Sequence, residues 1–184
     1  MCLFANKTIP TITEAPVTCY KILIKKVSNH VFSYYQDFDY GPISEIEGQT
    51  FNAEYSNKPT NIIVTAGYIH AYASPVDVLQ FLENEMRLGF IFGRDIVICK
   101  CEIPAGTEVF YGSDERVQIE EPKKLVSSSF PEQYSCVTCG RRSFAAKKIK
   151  FIKAKSFLNV GYKINFIYNV EMWLNEVNNG EERN

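Results

Sequence analysis

Hydrophobic and polar residues alternate along most of this chain, as in strands, but one segment repeats its hydrophobic residues at helical spacing. A strand that ends at Tyr72 leads into Ser74 and Pro75, an N-cap residue followed by proline at the first helical position. The hydrophobic residues that recur after them are Val78, Leu79, Leu82 and Met86. The pattern predicts a helix that buries this face and ends near Gly89, because glycine adopts the left-handed conformation of many helix ends without strain.

Strand-like alternation marks the segments on both sides of this helix. The alternating segments are residues 18–26, 51–55, 62–66, 96–103, 107–111, 146–153 and 160–170. In the segment 96–103 the odd positions are apolar, whereas Lys100 and Glu102 point the opposite way, which predicts one packed face and one wet face. The segment 160–170 has the longest alternation and is predicted to be a strand, followed by a short helix around Trp173.

These elements predict an α+β fold in which a mainly antiparallel sheet packs on one principal helix. A chain of 184 residues is long enough for one well-buried core. We therefore expect a single domain over residues 1–170, with an insertion at 113–142, where the alternation stops and the sequence becomes charged and then serine-rich. Residues 171–184 are expected to form the short helix and a frayed C-terminal tail.

The apolar stretches and the cysteines indicate the compartment. No run of about 18 apolar residues is present to span a membrane, and residues 1–4 are too short an apolar stretch for a signal peptide. We expect a cytoplasmic protein, or one delivered inside a particle, with no membrane partner. Cys99 and Cys101 are neighbours on one strand face and Cys2 and Cys19 are distant in sequence, so reduced thiols are the simpler interpretation of the six cysteines.

The net charge of −1 conceals an uneven distribution. Residues 1–122 hold 9 lysines and arginines against 16 aspartates and glutamates, a balance of −7. Residues 123–163 hold 10 against the single Glu132, a balance of +9, and the remaining residues add −3. Such a basic block either binds an anionic partner, pairs with acidic parts of its own fold or of a second copy, or is a solvated face.

We interpret the basic block as a candidate interaction surface. Its candidate residues are Arg141, Arg142, Lys147, Lys148 and Lys150. An acidic protein surface or self-association is the favoured partner. Nucleic acid is the alternative. Strands bind it through exposed aromatic residues flanked by cations, but Phe151 belongs to the apolar face, which leaves mainly phosphate-type contacts.

A histidine between tyrosines and a pair of closely spaced cysteines each have a functional and a structural interpretation. His70 lies between Tyr68 and Tyr72 on one strand face, so Tyr20, His70 and Tyr72 are candidates for a ligand pocket, although a lone histidine in a strand is more often structural. Cys136 and Cys139 have the spacing of half a zinc site. The sequence contains no second CxxC or HxxxH, so no metal is assigned and these two cysteines remain weak candidates.

Several short motifs resemble a family of small proteins of uncharacterised function from gut Bacteroidales genomes and their phages. The motifs are MCLF at the start, CYK at 19–21, SYYQDFDY at 33–40, GQTF at 48–51, GYIHAY at 67–72, CEIPAGTEVFYG at 101–112 and SFAAKKI at 143–149. The resemblance covers residues 1–152 discontinuously, and its most specific part is the IPxGTxxxxG turn. It implies an insertion at 113–142, a C-terminal extension from Gly161, and a bacterial or phage origin, but no activity.

The order of elements also resembles that of ADP-ribosyltransferase-like domains, which clamp NAD between two small sheets. That resemblance implies a split sheet and a catalytic glutamate on a late strand, whereas residues 146–153 offer only lysines. No nucleophile, base and orienting carboxylate can be assembled from the sequence. We therefore predict a non-catalytic binding or assembly protein without a cofactor, located in the host cytoplasm or in a virion. The alternative is an ADP-ribosyltransferase-like enzyme that handles NAD.

Overall fold

The computed structural model describes residues 3–5, 9–34, 38–53, 63–64, 67–114, 140–159 and 163–180. Within these ranges the chain forms twelve strands, two α-helices and one 3-10 turn, Val27–Asn29. The strands are β1 Leu3–Ala5, β2 Thr11–Ile12, β3 Val17–Lys25, β4 His30–Ser33, β5 Asp39–Pro42, β6 Thr50–Asn52, β7 Ile63–Val64, β8 Ile69–Tyr72, β9 Asp95–Ile103, β10 Glu108–Ser113, β11 Arg142–Ala146 and β12 Lys148–Leu158. The helices are α1 Pro75–Arg87 and α2 Lys163–Asn179.

The strands form a sheet in the order β6-β12-β9-β3-β8-β11-β10-β1-β7, and every described pair is antiparallel. In addition, β4 pairs with β3 and β5, and β2 pairs with β10. β9 pairs with β3 along the whole of both strands, whereas β3 and β8 share a single residue pair, Tyr20 and Tyr72. The sheet therefore consists of two halves: β3, β4, β5, β6, β9 and β12 in the first, and the other six strands in the second.

The helix α1 agrees with the prediction from the sequence. Oγ of Ser74 accepts a hydrogen bond from N of Asp77 at 3.3 Å, and Pro75 occupies the first turn. The helix ends at Arg87, and Gly89 has a positive φ of 77°. The fully buried residues of the helix include Val78, Phe81 and Leu82. These observations confirm the predicted start and end of the helix, and two of the residues predicted for its packed face are fully buried while the other two are half-buried.

The helix α2 corrects two predictions. Residues 163–179 form a helix of 17 residues, so the strand predicted at 160–170 is wrong from residue 163 onwards, and the described part of the chain has two substantial helices rather than one. The residues that α2 buries recur at helical spacing, and they are Phe166, Val170, Trp173 and Leu174. Tyr168, which a strand would place on the packed face, is 57% exposed. Helical and alternating patterns coincide over this segment, and packing against the sheet selects the helix.

The predicted wet face of β9 is also buried. Val97, Cys99 and Cys101 lie in one hydrophobic cluster, as expected, but Ile96 and Ile98 lie in a second cluster with residues of α1 and α2. The helices cover this face, because its two isoleucines pack against residues of α1 and α2. The predicted α+β fold with a mainly antiparallel sheet is therefore confirmed, with both faces of its central strand packed.

Burial of the cysteines is described for three of the six. Cys19, Cys99 and Cys101 are buried free thiols, which agrees with the expected reduced state. Cys2, Cys136 and Cys139 lie outside the described residues. Neither described helix is long and apolar enough to cross a membrane.

Leu82→Ala is expected to lower the free energy of unfolding by about 2–5 kcal/mol, because it removes buried methyl groups and leaves a cavity under α1. Urea unfolding measures the change. The matched control is Leu88→Ala, because Leu88 follows the helix and is 54% exposed. The control should shift stability by no more than about 0.5 kcal/mol. A loss below about 1 kcal/mol for Leu82→Ala would contradict the packing.

Candidate functional site

Two of the five predicted surface cations form ion pairs with little exposure. Nε of Arg141 donates to Oδ2 of Asp114 at 2.6 Å, and Nη2 of Arg142 lies 3.2 Å from Oδ2 of Asp77. The side chains of Arg141 and Arg142 are only 14% and 11% exposed. The prediction that both arginines belong to an exposed basic surface therefore does not match their position.

Arg142 attaches the start of α1 to β11. Its main-chain N donates to Oδ1 of Asp77 at 2.9 Å, and its Nη2 donates to Oγ of Ser74 at 2.9 Å. Burial raises the pKa of Asp77, and the charge of Arg142 opposes that rise. Removing one partner of such a buried pair leaves an uncompensated charge. Arg142 is therefore a structural residue, and its replacement tests folding rather than binding.

Lys147 is also engaged by the fold. Its Nζ donates to the main-chain O of Gly67 at 2.7 Å and lies 4.0 Å from the ring centroid of Tyr68. Tyr68 in turn donates its hydroxyl to Oε1 of Glu108. These contacts place Lys147 in the link between the β11–β12 turn and the start of β8, where its charge is only partly available to a partner.

The remaining predicted cations continue into a longer series on β12. Lys148, Lys150, Lys153 and Lys155, here called the lysine row, lie on one face of this strand. Register establishes the face, since Lys150 lies opposite Glu102, Lys153 opposite Lys100 and Lys155 opposite Ile98, and opposite residues of an antiparallel pair share a face. Lys148, Lys153 and Lys155 are exposed and Lys150 is half-buried.

A bulge keeps the lysine row on one face. The positions change from even to odd along the strand, which would place Lys153 and Lys155 on the core side in a regular strand. The register shifts between Phe151 and Lys153, so that one extra residue restores the alternation. The candidate surface residues predicted from the sequence include Lys148 and Lys150 but not Lys153 and Lys155, which belong to the same basic block. The change from even to odd lysines at Ile152 was the signal that could have identified them.

Only one member of the lysine row forms an ion pair with a described residue. Nζ of Lys153 lies 3.6 Å from Oε2 of Glu47, and the two side chains are 61% and 41% exposed. An ion pair this exposed contributes little to stability, typically about 0–1 kcal/mol. The lysine row is therefore a set of cations that the described part of the fold leaves largely available.

The three residues predicted to form a ligand pocket lie at the junction between the two halves of the sheet. Tyr20 and Tyr72 form the single pair that connects β3 with β8, and His70 lies two residues before Tyr72 on the same face. All three are buried. The hydroxyl of Tyr20 donates to Oδ1 of Asn178 at 2.6 Å, so the end of α2 covers this tyrosine. The structure thus brings the three residues to one region, beneath other parts of the chain.

The side chain of His70 is buried, and neither of its ring nitrogens has a hydrogen-bond partner in the part of the chain that the structure describes. Burial, followed by the charge of Lys21, lowers the pKa of His70 to about 3. Nζ of Lys21 donates to the main-chain O of His70 at 2.7 Å, and burial lowers the pKa of Lys21 to about 8. At neutral pH the imidazole is therefore uncharged, with one donor and one acceptor unused.

The described residues contain no cluster of metal-binding side chains. No group of three or more histidine, cysteine, aspartate or glutamate side chains there could hold a metal ion, and the half-site cysteines lie outside these ranges. The late strand β12 carries no glutamate. Glu85 accepts a hydrogen bond from the hydroxyl of Tyr34 at 2.5 Å, which gives that buried acid a structural partner.

His70→Gln is expected to remove part of the acid sensitivity of the fold. The folded-state pKa of His70 lies below its unfolded value of about 6.5, so the unfolded chain binds the proton first as the pH falls. The stability is full above about pH 6.5 and is lost as the pH decreases towards the folded-state pKa. The linked loss is about 2 kcal/mol between pH 6.5 and 5. Urea unfolding of both proteins across this range should show a steeper loss for the parent, whereas parallel curves would contradict the burial of a neutral imidazole.

Comparison of the chain with protein-family models, with curated proteins and with solved structures finds no match, so the fold and the arrangement of residues described above are the basis for inferring its function.

Proposed function

We propose that this protein is a non-catalytic binding protein that recognises an acidic protein surface through the lysine row. The observation that supports the proposal is the common face of Lys148, Lys150, Lys153 and Lys155 and the near absence of ion pairs to them among the described residues. This surface is narrower than the block at 123–163 expected from charge, because Arg141, Arg142 and Lys147 are engaged by the fold. Of that block, residues 123–139 lie outside the described ranges.

The geometry of the strand favours an extended acidic partner. Residues two apart in a strand are about 6.6–6.8 Å apart, so the lysine row presents ammonium groups at a regular interval on long flexible side chains. Lys153 also lies opposite Lys100, which adds a like charge beneath the row. Clustered cations of this kind raise the rate of encounter with an acidic surface, and opposite charge determines which partners are accepted.

Protection of a sheet edge is the competing structural explanation. Lysines on edge strands prevent sheets of neighbouring molecules from pairing. This explanation fits Lys153 and Lys155, but β6 pairs with β12 from Lys148 to Lys150. Edge protection therefore does not account for the first two lysines, whereas an interaction surface accounts for all four.

Replacing all four lysines of the row by glutamine should weaken binding of poly-L-glutamate about fourfold or more, because four ion pairs at the surface contribute about 0.2–1 kcal/mol each. Fluorescence titration at two salt concentrations measures the affinity, and circular dichroism checks the fold. The control variant carries Arg87→Gln and Arg94→Gln, which removes two exposed cations outside the row. Its affinity should remain within about twofold of the parent.

Two other outcomes would change the proposal. If duplex or single-stranded DNA binds in a manner that depends on the four lysines, with a salt slope of about −0.7 to −0.9 for each phosphate contacted, the partner is nucleic acid. If poly-L-glutamate and DNA bind the parent and the four-lysine variant equally, or bind neither, the lysine row is a solvated face and the proposed function is wrong.

The alternative function is handling of NAD at the junction between the two halves of the sheet. The observation that favours it is His70, whose unused ring nitrogens lie beside the single Tyr20–Tyr72 pair. A ligand present at a hundred times its dissociation constant adds about 2.7 kcal/mol of stability. NAD should therefore raise the melting temperature of the parent but not of His70→Gln. Equal melting temperatures with and without NAD for the parent would remove this alternative.

A further inference from the structure

The outer edge of β12 is covered along only part of its length. β6 pairs with β12 as far as Lys150, and two further bonds extend the cover: N of Gly48 donates to O of Phe151 at 2.8 Å, and N of Phe151 donates to O of Gln49 at 2.9 Å. Beyond Phe151, no described strand lies along the outer edge of β12. The edge at residues 154–158 is therefore open within the described structure.

The hydrogen bonds identify which backbone groups point outward. N of Asn159 donates to O of Arg94 at 3.1 Å, so Asn159 faces β9, and so do Lys155 and Phe157 at two-residue intervals. The residues between them, Ala154, Ser156 and Leu158, direct their N–H and C=O groups away from the sheet. The main-chain groups of Ser156 and Leu158 have no hydrogen-bond partner among the described residues.

A carboxylate of the protein itself already binds this edge. Oε1 of Glu47 accepts a hydrogen bond from N of Ala154 at 2.8 Å, while Oε2 lies 3.6 Å from Nζ of Lys153. The edge amide and a member of the lysine row thus bind one acidic group together. The side chain of Glu47 is 41% exposed, which is typical of a contact that a competing ligand can replace.

We propose that an extended acidic segment of a partner protein adds to this sheet as an antiparallel strand along residues 154–158. This inference rests on the proposed function and specifies the partner. The backbone of the segment pairs with the outward groups of Ser156 and Leu158, as in other cases of strand addition to a sheet edge. Its acidic side chains lie on the face of Lys153 and Lys155.

The face of β12 opposite the lysines determines which other residues the partner segment carries. Leu158 is 58% exposed and lies on the same face as Ala154 and Ser156, away from the lysines. In an antiparallel pair, residues that exchange both backbone bonds lie directly opposite each other and share a face. The partner residues that bond Ser156 and Leu158 are therefore the apolar ones. The segment alternates acidic and apolar residues, and the apolar residues supply the backbone bonds.

This assignment leads to a test with the labelled peptide Glu-Val-Glu-Val-Glu-Val-Glu. N-methylation of its valine nitrogens should weaken binding about tenfold or more, because it removes donors that face β12. N-methylation of its last three glutamate nitrogens changes the same number of amides on the other edge and should leave the affinity within about threefold. Fluorescence anisotropy with the full chain measures both.

Variants of the protein provide an independent measurement. Ser156→Pro removes the outward N–H, and proline is tolerated on an edge strand where that group faces solvent. The control is Ser156→Ala, which retains the N–H but loses the hydrogen bond from Oγ to Oδ1 of Asp95. Ser156→Pro should bind the unmodified peptide about three- to tenfold more weakly than Ser156→Ala. If Ser156→Pro does not fold, the comparison of the two methylated peptides decides the question alone.

Removing the internal competitor should strengthen binding. Glu47→Ala releases the N–H of Ala154 and Nζ of Lys153, whereas Glu45→Ala removes the same charge from a neighbouring exposed position. The affinity for the peptide should rise more in Glu47→Ala than in Glu45→Ala. An equal rise would show that only overall charge matters and would overturn strand addition.

The two proposals fail in different ways. Binding that depends on the four lysines but is weakened equally by both patterns of N-methylation, or by neither, overturns strand addition and leaves the proposed function intact. Absence of any binding that depends on these lysines overturns both. Binding that is lost with methylated valine and with Ser156→Pro, and that depends on the lysines, supports both.

Discussion

Full pairing of β9 on both edges, with both of its faces buried, is the constraint on which the rest of the structure depends. Its buried residues on one face lie in a hydrophobic cluster with residues from both halves of the sheet, and those on the other face lie in a cluster with residues of α1 and α2. A charged side chain on a strand that is buried on both faces needs a hydrogen-bond or ion-pair partner, because burying an unpaired charge is costly. Lys100 is 3% exposed, and its Nζ donates to O of Val177 at 2.9 Å, at the end of α2, where a helix presents unpaired carbonyls and partial negative charge.

Lys21 provides a comparable contact on the other face. It is paired in register with Cys99, and its Nζ reaches the main-chain O of His70 on β8. Among the described strands, one residue pair joins the two halves of the sheet, so this side chain adds a further connection across the junction. Both buried lysines thus donate to carbonyls of a neighbouring element. The position of α2 and that of β8 each depend on a cation that is kept away from water.

The elements with local signals could be predicted from the sequence, and those determined by distant partners could not. Ser74 and Pro75 define the start of α1 within a few residues, and the turn before β10 is equally local. The segment of α2 fits a strand and a helix equally well. The exposed face predicted for β9 rested on Lys100 and Glu102, whereas Ile96 and Ile98 on the same face pack against residues of α1 and α2. Likewise, nothing near Arg142 in sequence indicates Asp77, which is 65 residues away. The basic character of the candidate site could be predicted from the sequence. Only the tertiary structure shows that Arg141 and Arg142 form ion pairs with little exposure, whereas the lysine row does not.

The bulge in β12 makes register, rather than residue identity, the strictest requirement of this strand. A slip that brought Ile152 into regular pairing, opposite Lys100, would rotate every later side chain to the opposite face. Lys153 and Lys155 would then point towards the core beside Cys99 and Val97, and Ala154 and Ser156 would replace them beneath the helices. Substitutions in the lysine row remove charges one at a time, whereas the loss of this single irregularity, with no change of sequence, would exchange the inside and the outside of half a strand.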